Sequence, residues 1–390
     1  MKFVKINQYV RPIKKWNPSL ESNKKTFRYI DISSISQEEK LIIPNSEILV
    51  SDAPSRARQL IEAGDILVST VRPNLNAVAL VSDNLDGAIA STGFCVLRTD
   101  QKHLYNRYLF QWVRSPVFIE SMVKQATGQS YPAVSDKIVK ESLILLPPFE
   151  EQKRIAAILD QADALRRLRQ RAIDRLNTLG QAIFYEMFGD PATNPKSWPI
   201  VTIKELTAST QYGTSSKAGD VGNFPILRMG NINESGAFDY SSLKYIDLSA
   251  LDIEKYTVRD GDILFNRTNS PDLVGKTGVY RGNSIYAFAG YLVRLRVNEK
   301  AVPEYVGIYL NSPFGKKILR NMCKTIIGMA NINAKELLTI PIPLVPIHYQ
   351  REFQEKLFAI NLTLPFFEKY SQEIDKLFSS LQYRAFRGEL

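Results

Sequence analysis

Between Pro147 and Gly189, apolar residues recur in alternating steps of three and four, at Ile155, Ile158, Ala162, Leu165, Ala172, Leu176, Leu179 and Ile183, with one polar interruption at Arg169. That spacing is the seam of a coiled-coil helix, which turns one apolar stripe toward a partner. Prolines stop just before the stretch at Pro147-Pro148, Glu150 and Glu151 fill its first turn, and Gly189-Asp190-Pro191 closes it, so both ends carry helix punctuation. At about 1.5 Å per residue the predicted rod is roughly 50 Å long. A second stripe follows Pro346, at Leu357, Ile360, Leu364, Phe367, Ile374, Phe378 and Leu381, and Pro365 is expected to kink it. Two such helices in one chain are expected to pack on each other, antiparallel, burying both stripes.

The segments ahead of each stripe read differently. Short β-branched or apolar runs bounded by Asn, Asp and Gly predict strands at Ile66–Val71, Ala77–Val81 and Gly93–Leu97, with counterparts at Ile263–Asn266, Thr277–Tyr280 and Leu292–Val297. Helices are predicted at Tyr105–Arg114 and Phe118–Gln125, then at Pro303–Leu310 and Lys316–Lys324. The pairing of these elements follows an internal repeat. Gly64-Asp65-Ile66-Leu67 returns as Gly261-Asp262-Ile263-Leu264, and Ser115-Pro116 returns as Ser312-Pro313, both 197 positions on; Gly128 matches Gly328, and Pro148 with Gln152 matches Pro346 with Gln350. Ordered matches at nearly one offset indicate a tandem duplication of a unit near 200 residues, too long a period for a solenoid or propeller. The expected fold class is α+β: two duplicated mixed α/β domains separated by two long helices that form an antiparallel coiled coil. The boundaries are placed at 1–146 and 190–343 for the globular parts and 147–189 and 344–390 for the helices, with Asn194–Pro199 as the turn-rich link into the second half.

A chain of 390 residues is too long for one ordinary core, which agrees with two domains. It has no run of eighteen apolar residues, so no membrane span is expected, and Met1–Asn7 lacks the apolar segment of an export signal. Cys95 and Cys323 lie far apart without a CxxC pairing, as suits buried thiols in a reducing cytoplasm. The net charge of +10 favours a polyanionic partner, nucleic acid first, although many basic proteins bind nothing anionic.

Catalytic patterns are missing. The chain has no GxxxxGK phosphate loop, no GxGxxG fingerprint and no GxSxG elbow, and His103 and His348 have no metal-ligand neighbour at short spacing. Leu146-Pro147-Pro148-Phe149 resembles the Pro-Pro-aromatic loop of amino-methyltransferases, but Leu146 stands where that loop needs a polar residue. Glu38-Glu39-Lys40 and Glu151-Gln152-Lys153 match a nuclease (Asp/Glu)-x-Lys only at chance spacing. No catalytic residue and no metal site is assigned, and the chain is expected to bind rather than react.

Loops in both halves mix the side chains suited to base edges and phosphates. Ser69, Thr70 and Arg72 form one candidate group, and Thr127, Gly128, Gln129, Ser130 and Tyr131 another. In the second half the candidates are Arg228 and Asn231; Asn266, Arg267, Thr268 and Asn269; and Gly328 with Asn331. Each loop also reads as an ordinary polar turn. Arg166, Arg167, Arg169, Arg171 and Arg175 make the first long helix basic, and they fit a solvated coil flank better than a DNA contact.

The Pro147–Asp160 opening of that helix, its ending Phe184-Tyr185-Glu186-Met187-Phe188-Gly189-Asp190-Pro191, the paired Gly-Asp-Ile-Leu motifs and Arg228-Met229-Gly230-Asn231-Ile232 resemble the DNA specificity subunit of type I restriction-modification systems, over the whole length including the duplication. The resemblance implies two target-recognition domains, each reading half of a bipartite DNA duplex site, and a coiled coil that spaces them and docks two modification (methyltransferase) subunits, with restriction subunits in the full complex. It implies no cofactor on this chain; S-adenosylmethionine, ATP and Mg would serve the partner subunits. Residues matched to docking and the coil are Glu151, Gln152, Ile155, Ile158, Leu165, Leu176, Leu179 and Ile183, with Gln350, Leu357, Ile360 and Leu364. The second long helix keeps Gln350 but lacks the acids of Glu150-Glu151, so docking there is expected to be weaker or asymmetric. A tandem scaffold holding protein partners, its charge incidental, is the alternative; salt-dependent binding to duplex DNA separates the two.

Overall fold

The computed structural model describes residues 2–20, 25–43, 46–270, 273–326 and 329–390. The chain forms two compact units, residues 1–171 with 368–390 and residues 172–367. Each contains the same arrangement. In the first, a four-stranded antiparallel sheet runs in the order Val10–Arg11, Phe94–Thr99, Ile66–Ser69, Val78–Leu80, with Ile66 opposite Leu97 and Leu67 opposite Val96. In the second the order is Thr207–Tyr212, Leu292–Val297, Ile263–Asn266, Thr277–Val279, with Ile263 opposite Leu295. Helices Asn106–Val113 and Pro116–Gln125 cover one face of the first sheet, and Pro303–Asn311 and Pro313–Met322 cover the second. A smaller sheet lies beyond the other face of each, built round a parallel pair, Tyr29–Ile30 with Ile89–Ser91 and Phe224–Leu227 with Tyr286–Phe288.

The repeated motifs turn out to be structural. Gly64 and Gly261 both sit at φ +85°, a left-handed turn that glycine enters without a Cβ penalty. The aspartate that follows is buried and grips an arginine of the neighbouring strand through two hydrogen bonds, Arg98 onto Asp65 at 2.9 and 2.8 Å and Arg296 onto Asp262 at 2.7 and 3.1 Å. A bidentate pair of this kind satisfies the buried carboxylate and sets the strand register. The next two residues alternate across the sheet, Ile66 and Ile263 into the helix-side core, Leu67 and Leu264 into the opposite core. Ser115 and Ser312 cap their helices ahead of proline, accepting from Phe118 N at 3.3 Å and Gly315 N at 3.0 Å.

The two long helices span Phe149–Phe188 and Ile347–Ala385; the second continues through Pro365 without a break. Within each unit they lie side by side and antiparallel. In the first unit the Arg154 guanidinium donates to Leu390 O at 3.0 Å, and Arg166 meets Asp375 at 3.2 Å and covers the Phe378 ring. In the second, Phe184 and Phe188 hold Phe353 edge-on at ring separations of 5.8 and 5.2 Å, and Gly180 lies so close to Leu357 that a Cβ would come within 2.8 Å of its Cδ2.

The seam on the first helix is displaced from the expected one. Ile155 is buried, and Ile158, Ala162, Ala172, Leu176 and Ile183 are half-buried, but Leu165 is 58% exposed and Leu179 37%. The covered positions are one residue further on, at Ala156, Leu159, Asp163, Ile173, Gly180 and Phe184, a rotation of about 100°. Two facts produce the rotation. The helix must face its domain core as well as the second helix, so Ala156 and Leu159 join the first core and Phe184 and Phe188 the second. Mid-helix, the buried position is a charge, Asp163, which receives Arg114 at 2.7 Å, Arg167 at 2.5 Å and Arg166 at 3.2 Å. On the second helix the stripe lies where the spacing puts it: Leu357 and Phe378 are buried, and Ile360, Leu364, Phe367, Ile374 and Leu381 half-buried.

Gln152 and Gln350, grouped by sequence with the docking residues, are fully buried. Gln152 accepts from Tyr105 N at 2.9 Å and donates to His103 O at 2.7 Å and Pro147 O at 3.0 Å. Gln350 repeats this with Val302 N at 3.0 Å, Lys300 O at 3.1 Å and Val345 O at 2.7 Å. Each carboxamide stitches the first turn of a long helix to its domain. Gln152→Ala leaves one backbone N–H and two carbonyls without partners, which should cost on the order of 2–3 kcal/mol. Hydrogen exchange should show faster opening at residues 103–105 and 147–152, with residues 300–302 and 345–350 unchanged.

Candidate nucleic-acid interface

Two of the loops singled out in the first half meet. Val71 bridges Ala133, Thr127 bridges the same residue, and Arg72 N donates to Pro132 O at 2.7 Å. The chain enters this junction from the strand end, where Ser69 and Thr70 are buried and spend their hydroxyls on Val71 O and Gly93 O, both at 2.9 Å. They shape the loop and do not face solvent. Arg72 follows at φ +49° and Asn76 at φ +44°, bracketing a 3-10 turn over Pro73–Leu75. Left-handed backbone is costly for residues other than glycine and is held only where surroundings dictate it.

What this geometry presents is the Arg72 guanidinium, 4.7 Å from the centre of the Tyr131 ring. Tyr131 is 68% exposed, and Thr127, Gln129 and Ser130 are exposed beside it. Gly128 turns at φ +101°, where an added Cβ would come 3.0 Å from Tyr131 O. Among the described residues no carboxylate pairs with Arg72.

The second unit builds the corresponding junction. Thr268–Asn269 pairs with Met329–Asn331, Thr268 Oγ1 donates to Asn331 Oδ1 at 3.1 Å, and Ile332 N donates to Arg267 O at 2.9 Å. The Arg267 guanidinium lies 5.0 Å from the Tyr212 ring centre. Arg267 N donates to Tyr291 O at 3.0 Å, and the Tyr291 side chain is exposed. Tyr212 and Tyr291 were not among the expected residues. The signal was available in Tyr212-Gly213 and Gly290-Tyr291, since both glycines occupy tight spots: a Cβ on Gly213 would come 2.2 Å from Ala289 O and one on Gly290 3.2 Å from Thr214 O.

Other candidates resolve differently. Asn266 is fully buried, and its side-chain amide has no hydrogen-bond partner among the described residues. Asn231 is buried too: its Oδ1 accepts from Arg228 N at 2.9 Å and its Nδ2 donates to Asp239 O at 2.9 Å, while Arg228 donates to Ser242 O at 3.0 Å. The Arg228–Asn231 segment is therefore a turn tied to Asp239 and Ser242, and Asn231 and Asn266 are corrected from exposed contacts to interior residues. Gly328 and the side chain of Asn269 lie outside the described residues. On the long helix, Arg166 and Arg167 are ion-paired to Asp163, and Arg169 covers the Tyr370 ring. Glu151 is paired with Arg154 at 2.7 Å.

The two junctions superpose in backbone pattern. Thr70 N donates to Gly93 O and Thr70 O accepts from Val134 N; Arg267, 197 positions on, makes the same two kinds of bond with Tyr291 O and Ile332 N. The exposed side chains on this common frame are different.

A family model for the type I restriction modification DNA specificity domain matches residues 3–178 and matches again over residues 195–375. The chain belongs to the type I restriction-modification DNA specificity family. Relatives include the EcoKI specificity subunit of Escherichia coli K12, 25% identical over 320 residues that cover 76% of this chain and 68% of that protein. The MjaVIII specificity subunit of Methanocaldococcus jannaschii is 25% identical over 360 residues, covering 86% and 78%. A solved structure described under complex assembly and conformational transition of the type I R-M system matches at TM-score 0.64 and 27% identity, over 100% of this chain and 98% of that one. The type I S subunit from M. genitalium shares the fold at TM-score 0.58 and 14% identity, over 99% and 96%. The role of a type I specificity subunit is recognition of DNA sequence, not catalysis. Among the described residues no helix is long and apolar enough to cross a membrane, and no cluster of His, Cys, Asp and Glu could hold a metal.

Electrostatics around the first loop junction have a titratable consequence. Lys40 Nζ donates to Asn76 O at 2.6 Å. Burial, then the guanidiniums of Arg114, Arg166 and Arg167, push Lys40 down from 10.5 to about 8, against the attraction of Asp163. Because the folded value lies below the ordinary one, the folded chain binds fewer protons than the unfolded chain between pH 8 and 10.5. Stability from this group therefore rises with pH through that window and is lowest below pH 8. Denaturant unfolding of the wild type and Lys40→Gln at several pH values should show the wild type gaining on the variant as pH rises; a pH-independent difference would contradict the assignment.

Proposed function

We propose that each unit reads one half of a bipartite double-stranded DNA site, and that the two long helices set the gap between the halves and dock two methyltransferase subunits. One observation carries the reading: a shared backbone frame bearing exchanged side chains. At equivalent points stand Thr70 and Arg267, and the arginine laid on a tyrosine comes from position 72 in one unit and 267 in the other. Two readers of unlike base sequence need this combination, since backbone and phosphate contacts fix register while side chains select bases. Arginine is the commonest specific partner of guanine edges, and a tyrosine ring beneath it holds the fork in one plane. The net charge of +10 supplies attraction to the phosphates.

Apolar side chains left exposed on the long helices support the docking role. In the first unit these are Leu165, Leu168 and Leu377; in the second, Leu179, Leu362 and Phe366. Covering such groups with a partner helix removes apolar surface from water. In this proposal restriction subunits complete the assembly, S-adenosylmethionine, ATP and Mg2+ are used by the partner subunits, and the complex works in the cytoplasm.

Two outcomes test it. With methyltransferase subunits present, Arg72→Ala should relax recognition at one half-site by about 1–3 kcal/mol and Arg267→Ala at the other by a similar amount. Mapping of methylated motifs checks this, and loss of discrimination at both halves from either change would refute the assignment of one reader per half. A heptad added to both long helices should widen the unread gap by about three base pairs, since seven residues rise roughly 10 Å against 3.4 Å per base pair. An unchanged gap would remove the helices from the measuring role.

A further inference from the structure

We propose that Asp163, on the long helix and away from the recognition surface, is a positioning residue for the first reader: it holds the Arg72–Tyr131 pair in place through two routes that converge on Asn76. The inference rests on the reading of Arg72 as a DNA contact and concerns residues of the first unit alone.

The first route runs through Arg114. Its guanidinium donates to Asp163 Oδ2 at 2.7 Å, both side chains being buried, and its backbone carbonyl accepts from Asn76 Nδ2 at 3.4 Å. The second runs through Arg167. Its Nε donates to the same carboxylate at 3.0 Å, its Nη1 donates to Glu39 O, and the next residue, Lys40, donates to Asn76 O at 2.6 Å. Asn76 closes the 3-10 turn that Arg72 opens, and both ends of that turn are left-handed. A five-residue segment with two such residues needs outside support, and the contacts to Lys40 and Arg114 supply it at one end. At the other end, Pro132 O holds Arg72 N.

Burial alone would raise the Asp163 acid, but Arg114 and Arg167 hold its carboxylate below the usual range, so it is ionised at neutral pH. One buried anion thus orders three arginines. Remove its charge and the buried Arg114 and half-buried Arg167 lose their counter-ion, a condition that such cations relieve by moving toward water. Both routes to Asn76 would loosen together. Among the described residues the second unit has no such device. Arg114 corresponds to Asn311, which instead bonds Thr277 through Oδ1 at 3.1 Å and Nδ2 at 2.6 Å, and Asp163 has the uncharged, exposed Asn361 at the equivalent place. The second half-site is therefore an internal control.

The experiment uses the chain assembled with its methyltransferase subunits and duplexes built on its mapped motif: the full site, a site with the first half changed, and a site with the second half changed. Asp163→Asn should reduce the penalty for changing the first half about tenfold or more and leave the penalty for the second half as in wild type. Lys40→Gln, which leaves the Asp163 cluster intact, should act in the same direction with a smaller effect, and it stands in if Asp163→Asn fails to assemble. A purely structural role would weaken binding to all three duplexes in parallel, and that result, or no change in the first-half penalty, overturns the proposal. Arg72→Ala separates the two claims. If it shrinks the first-half penalty while Asp163→Asn and Lys40→Gln do not, the brace is wrong and the reader stands. If it does not while they do, the brace acts on another reader.

Discussion

Each unit depends on the need of a long helix to bury one face against two different neighbours at once. A stripe adequate for a two-stranded coil is too narrow when the same helix must also close a domain core. The chain meets this with larger or closer contacts at the ends: Phe184 and Phe188 against Tyr305 and Phe353 in the second unit, and Ile155, Ala156 and Leu159 within the first core. Gln152 and Gln350 then lock the first turn of each helix to its domain by hydrogen bonds that no solvent competes for. Apolar residues on the other side remain open, which is what a subunit meant for assembly requires.

The two loop junctions follow from the same economy of parts. Turns with left-handed backbone, glycines in close quarters and buried hydroxyls build a rigid ledge, and only a few side chains project from it. In the proposed reading, changing those projecting residues would alter what is read without disturbing the sheet below, because the register is held by buried Asp–Arg pairs. That arrangement would separate stability from specificity and let two copies of one fold carry two recognition sets.

A buried ion cluster such as that of Asp163 is a costly way to fill the middle of a helix, since hydrophobic packing would serve stability as well or better. Its geometry connects the helix to a loop in the same unit that is held at Asn76 by Lys40 and Arg114. The second unit, where Asn361 and Asn311 stand at the equivalent places, holds its junction by strand pairing instead. The two copies have solved one positioning problem in two ways.

The chain's own pattern was enough for much of this. The repeat near 200 residues, the strands at Ile66–Ser69 and Ile263–Asn266, both long helices and the Arg72, Tyr131 and Arg267 loops were legible, because periodicity, turn residues and duplication are local or self-comparing signals, whereas Tyr212 and Tyr291 were not. Only the folded structure decided which stripe of the first helix is covered. The expected stripe is the more continuously apolar of two that lie one residue apart, and the choice between them is made by partners distant in sequence, Arg114 drawing in Asp163 and Leu357 drawing in Gly180. Likewise, a polar residue in a loop reads the same whether it points outward or inward. Asn231 and Asn266 looked like Thr127 and Gln129 on paper, and burial, a property of the whole fold, separated them.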